Sequence, residues 1–228
     1  MAINAIIAAL LKEFSDGQQL ATLAEAEQFE HFVNYAILSD VYAAEFNPLD
    51  ISTGTQEFGI DGIGIIVNGV LVEDPDEVDE LKQKNKFLDA EFIFTQAKTS
   101  NHFESGELLK TLNAVEDFFG PMSLLQGDRV KIKHSLKEHI YSNAALFRRG
   151  PPKVSIFYAS LGSWLDDQNL MTLVNKTTLV LNQTQLFSEV TFVPIDAAAL
   201  RQLYFVPRMH SRGRSTSRRV WLSRRFRM

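Results

Sequence analysis

The sequence predicts an α/β protein with a small mixed sheet flanked by helices, and three observations carry that prediction. At 228 residues and 45% hydrophobic content, the chain is long enough to bury one substantial core. Three short apolar runs, EFIFTQAK, VSIFYAS and EVTFVPI, are rich in β-branched and aromatic residues and read as buried strands. Stretches with apolar residues at helical spacing lie between them, so strands and helices alternate through the second half.

Two helices open the chain. Ile3, Ile6, Ile7, Leu10, Leu11 and Phe14 recur at helical spacing and stop near Asp16 and Gly17. A longer run from Thr22 to Tyr42 places Phe29, Phe32, Val33, Ala36, Ile37 and Val41 on one stripe, with Glu30 beside it. Residues 47–59 have loop composition, and IGIIVNGVLVE then reads as a hairpin about Asn68 and Gly69, a pair suited to a tight turn. Residues 73–86 are heavily charged and read as an exposed connection whose helical tendency is left open.

After the strand Glu91–Lys98, a helix carries Leu108, Leu112, Val115 and Phe118 to a stop at Gly120. A further helix is expected over residues 127–147, closed by Gly150, Pro151 and Pro152. The strand VSIFYAS, a helix over Trp164–Leu181, the strand EVTFVPI and a short helix over Asp196–Tyr204 complete the order.

Composition excludes several chemistries. With no cysteine there are no disulfides, thiolate zinc sites or cysteine nucleophiles, which fits a reducing cytoplasm. The apolar start lacks a preceding basic region and reaches Lys12 and Glu13 too soon to span a bilayer, so no membrane partner is expected. No GxGxxG, GxxxxGK, HExxH or GxSxG pattern occurs. His102 with Glu104 and Glu107 reads as a polar loop before a helix, not as a metal site.

The charge is unevenly distributed. Residues 207–228 hold eight arginines and no acidic residue, leaving 15 basic and 28 acidic side chains in the first 206, a formal −13. Such a body repels a polyanion over most of its surface, so nucleic acid must meet a local basic cleft or be helped by metal ions. The chain accordingly divides into an α/β domain over residues 1–206 and a basic, disordered tail over 207–228. The tail's abrupt loss of pattern also matches what a change of reading frame produces, with the domain then the front part of a longer protein.

The candidate site forms around EFIFTQAK. Side chains on a strand alternate, so Gln96 and Lys98 share a face with Phe92 and Phe94. Asp61, in the GIDG that precedes the hairpin, and Glu30 on the second helix complete a set of four. Singly, each has an ordinary reading: Asp61 as a turn residue, Lys98 as a surface lysine, Glu30 as a solvated helix residue. Jointly, their order on helix, hairpin and buried strand resembles the order of parts in a restriction-endonuclease-like nuclease core, which implies a metal and phosphodiester site. Asp61, Glu30 and Gln96 would ligate Mg²⁺ or Mn²⁺, and Lys98 would stabilise the phosphate. Arg148, Arg149 and Lys153 are either part of a phosphate-facing rim or charges that suit a helix C-terminus.

This order resembles the restriction-endonuclease-like PD-(D/E)XK superfamily, in the Mrr-like variant with glutamine two before the lysine. The closer resemblance is to the N-terminal region of the abortive-infection phage-resistance (AIPR) family. It is carried by FEHFVNYAIL, GIDGIGIIVNG, FIFTQAKTS and FESGELLKTLNAVEDFF. The resemblance implies a metal-dependent nuclease in anti-phage defence, acting on nucleic acid with DNA favoured over RNA, and a possible pairing of two copies. The alternative it leaves open is a nuclease-fold module that binds nucleic acid or a protein without cutting.

Overall fold

The computed structural model describes residues 5–54, 58–124, 127–165 and 167–210, with backbone alone for 206–210. Five strands form one mixed sheet: β1 (Gly62–Val67), β2 (Val70–Leu71), β3 (Ala90–Lys98), β4 (Lys153–Ser160) and β5 (Glu189–Ile195), in the spatial order β2-β1-β3-β4-β5. β1 is antiparallel to both β2 and β3, while β3, β4 and β5 run parallel. The α/β expectation therefore holds, with a mixed sheet between helical layers.

Alternation along the strands sorts the core into two halves. One face carries Ile63, Ile65, Phe92, Phe94, Val154 and Ile156. It is covered by α3 (Pro75–Asn85), α4 (Ser105–Phe119), α5 (Asp128–Ser142) and α6 (Gln168–Gln183). The other carries Ile93, Ala97, Phe157 and Ile195 beneath α1 (Ala5–Gly17), α2 (Glu25–Val41) and α7 (Ala197–His210). β3 is buried on both faces, as a central strand should be.

The hairpin forms where expected, with Asn68 and Gly69 at φ 51° and 83°, the left-handed pair that a two-residue turn needs. Three expectations are corrected or completed. The charged segment 73–86, read as an exposed connection with its helical tendency left open, contains the helix α3. Asp74 accepts hydrogen bonds from the N–H groups of Asp76 and Glu77, Pro75 starts the helix, Lys82 and Lys84 fall in its last turn, and Lys86 closes it at φ 60°. The helix expected over 127–147 ends at Ser142, where Asn143 turns its side chain back to His139 O, and residues 144–146 make one 3₁₀ turn. The last helix extends from Ala197 to His210, beyond the expected end at Tyr204. Residues 207–210 of the expected basic tail belong to this helix, and 211–228 lie outside the described residues.

Candidate functional site

The site begins where β1 ends. The last β1 pairing towards this end of the sheet joins Gly62 to Thr95, and beyond it β3 continues alone on that side. Ala97 N–H, which would lack a ladder acceptor there, donates instead to Asp61 Oδ2 at 2.7 Å. The same oxygen accepts from Gln96 Nε2 at 2.6 Å, and Asp61 N–H donates to Thr95 O at 2.9 Å. Asp61 is 5% exposed and Gln96 1%, so this is an interior polar cluster.

The glycines of GIDG allow that arrangement. A Cβ on Gly62 would lie 2.4 Å from Thr95 Oγ1 and 2.7 Å from Asn34 Oδ1, and Gly59, at φ 73°, would put one 2.8 Å from the Lys110 backbone. Asn34 of α2 is buried here, donating to Asp61 O at 3.1 Å and accepting from the Thr95 hydroxyl. Its side chain fixes the loop from the α2 side, while the close approach of Gly59 fixes it against α4.

The orientation of Gln96 follows from chemistry. A carboxylate oxygen only accepts, so the amide must turn its NH₂ to Asp61 and its oxygen away. Gln96 Oε1 is consequently buried with no hydrogen-bond partner among the described residues. That is an acceptor without a donor, in a place where leaving one costs on the order of 1–3 kcal/mol.

Two residues further, on the face shared with Gln96, Lys98 Nζ lies 3.0 Å from Glu107 Oε2 on α4, and the other Glu107 oxygen takes Lys110 Nζ. Lys110 first, then Lys98, hold the Glu107 carboxyl below the usual carboxylate range, so it stays charged. A cleft of about 190 Å³ opens here, lined by Lys98, Thr99, Ser100, Glu107 and Tyr158 among others. Tyr158, the register partner of Gln96 on β4, forms part of its wall. Burial, with the charges of Glu107, Glu104 and Asp61, pushes its hydroxyl well above the usual range, so it remains a proton donor.

Asp61 and Gln96 therefore meet, and Lys98 stands two residues along on the same face at the cleft. Glu30 is half-buried on α2, one turn before Asn34, and α2 covers the opposite face of β3. Among the described residues no group of three or more His, Asp or Glu side chains is gathered in a way that suits a metal ion. The Gln96 amide meets Asp61 through its NH₂, so Gln96 Oε1 faces away from the Asp61 carboxylate as the side chains stand. Of the two readings of Arg148, Arg149 and Lys153, a phosphate-facing rim at this site does not fit Arg149 and Lys153: Arg149 pairs with Asp89 and lies over Phe87, while Lys153 pairs with Glu189 and is in register with Glu91. All lie at the far end of β3, about 25 Å from Lys98 at the usual rise per residue.

Compared with family models, curated proteins and solved structures, the chain has no match. The site rests on its own geometry. Sequence reasoning missed Asn34 and the partnership of Glu107 with Lys98. Asn34 carried little signal, because it lies off the apolar stripe of Phe29, Phe32, Val33, Ala36 and Ile37, where a polar helix residue reads as solvated. Glu107 carried none, because only the fold of residues 99–104 brings it to Lys98.

Proposed function

We propose that the chain is a nuclease that hydrolyses phosphodiester bonds with Mg²⁺ or Mn²⁺ at the end of β3. The observation that carries this reading is Gln96 Oε1, a buried oxygen with no donor on the side chain whose NH₂ meets the Asp61 carboxylate. Mg²⁺ often takes one or two protein oxygens and completes its shell with water and substrate phosphate, so Asp61 would hold it, joined by Gln96 Oε1 once the Gln96 amide turns over from its present hydrogen bond. When bound, it would neutralise the phosphate and acidify an attacking water.

The protein groups around it have separable tasks. The Lys98 ammonium donates to a non-bridging phosphate oxygen as negative charge builds in the transition state. Tyr158 offers a neutral O–H from the cleft wall. The cleft is lined by Lys98 together with Glu104 and Glu107, so engagement of a polyanion there would depend on the metal ion. DNA as the favoured substrate, pairing of two copies and a role in anti-phage defence rest on the resemblance alone, and a cytoplasmic setting on the absence of cysteine. No helix among the described residues is long and apolar enough to cross a membrane.

A second reading has its own observation. Asp61 Oδ2 already receives two N–H donors, which spread its charge into the protein and weaken it as a ligand. This favours a module that binds nucleic acid or a protein without cutting. Assays of DNA and RNA cleavage with Mg²⁺ or Mn²⁺, using the intact chain, Lys98→Ala and Asp61→Asn, separate the two. Metal-dependent cleavage lost in both variants supports the nuclease, and equal activity in all three removes it. Metal-independent binding in calorimetry without turnover supports the module.

A further inference from the structure

We infer that Glu107 is the positioning residue for Lys98, holding its ammonium at the cleft in the orientation that phosphate stabilisation needs. The inference rests on the nuclease reading and adds to it a residue nine positions beyond the lysine, on a different element.

Lys98 is the last residue of β3, with a long stem that many rotamers satisfy. Its Nζ is 3.0 Å from Glu107 Oε2, and both side chains are about one-third exposed, at 33% and 30%. An ammonium has three donors, so one taken by Glu107 leaves two for a phosphate oxygen. Glu107 is itself anchored: Lys110, one turn along α4, takes its other oxygen. A carboxylate fixed at both oxygens is a stiff support for a flexible cation.

The segment between the two residues is pinned as well. Ser160 Oγ, at the end of β4, donates its one proton to Ser100 O at 2.8 Å with His102 O also within reach at 3.1 Å, and Leu161 N–H donates to Ser100 O at 3.0 Å. A Cβ on Gly162 would fall 2.3 Å from Asn101 O, so the loop lies directly on the backbone that follows β4. The start of α4, and with it Glu107, is thereby set relative to Lys98 by the sheet itself.

The test compares the full chain with Glu107→Gln, Lys98→Ala and the double variant, reading kcat and KM for metal-dependent cleavage of an oligonucleotide. Glu107→Gln keeps the size and an acceptor oxygen but removes the charge. Its kcat is expected to fall about 10–100-fold with KM changed less than about twofold, as for other supports of a catalytic group. The double variant is expected to match Lys98→Ala alone, because Glu107 acts through the lysine. A ¹⁵N-lysine spectrum supplies a readout without activity: the Lys98 ammonium signal, assigned by its absence in Lys98→Ala, is expected to shift or broaden in Glu107→Gln. Wild-type rates and an unmoved signal in Glu107→Gln overturn the inference and leave the nuclease reading intact. A faster Glu107→Gln also overturns it, since the carboxylate would then be holding the lysine away from phosphate. No cleavage by the full chain, or full activity in Lys98→Ala, overturns the nuclease reading and the inference with it.

Discussion

Asp61 Oδ2 accepts the Ala97 N–H at 2.7 Å, so the carboxylate proposed to hold a metal also closes the hydrogen bonding of the central strand. Two roles meet in one oxygen. Asp61→Ala leaves the Ala97 N–H and the Gln96 amide without their acceptor in the interior, a loss of about 3 kcal/mol on the scale of charged buried hydrogen bonds. Denaturant unfolding should show that loss, and a dead Asp61→Ala enzyme is informative only beside the milder Asp61→Asn.

Lys98→Ala separates activity from stability. Its pair with Glu107 is partly exposed, and such pairs contribute about 0–1 kcal/mol. The unfolding midpoint should stay close to wild type while metal-dependent cleavage is lost. A large drop in stability would place Lys98 among the structural residues.

Gly62→Ala is expected to destabilise by about 1–3 kcal/mol, because the new methyl meets Thr95 Oγ1 and the Asn34 amide together. Thermal unfolding measures it. Combining Gly62→Ala with Thr95→Ala should recover part of the loss by removing the nearer obstacle.

Mild acid should weaken the fold through histidine. Burial lowers the pKa of His31 and of His134 below the ordinary 6.5. A histidine with a depressed folded-state pKa contributes stability that is present above the unfolded value and lost as pH falls through the folded one. Denaturant midpoints should therefore decline as pH drops from about 7 to 5, and His31→Gln should flatten the profile. The carboxyls held below their usual range, Asp79, Asp117 and Glu138 among them, act only at lower pH, below the ordinary carboxylate values.

The strands and the hairpin were readable because their signals are local. β-branched runs, period-two alternation and Asn68-Gly69 need no knowledge of the rest of the chain. α3 stayed open for the opposite reason. Its acidic run looks solvent-bound, yet Val78 is buried and Glu73, next to the helix cap, ties to Lys133 of α5 at 2.6 Å. Tertiary contact, not composition, decided it. In the site, the adjacency of Asp61 and Gln96 comes from the pairing of β1 with β3 across the intervening β2 and α3, which the local hairpin of β1 with β2 does not encode. The Lys98–Glu107 pair depends on a loop held by Ser160 from a strand some sixty residues later, and no local pattern encodes that.

The double duty of Asp61 bears on how such a chain drifts over generations. A lineage that ceased to cut nucleic acid would still need an acceptor at position 61 to keep its central strand intact. Lys98 and Glu107, partly exposed and loosely tied to stability, would be under no such constraint. Among descendants of one ancestor, retention of the lysine–glutamate pair would therefore record continued use of the cleft, whereas retention of the aspartate would record only that the protein still folds.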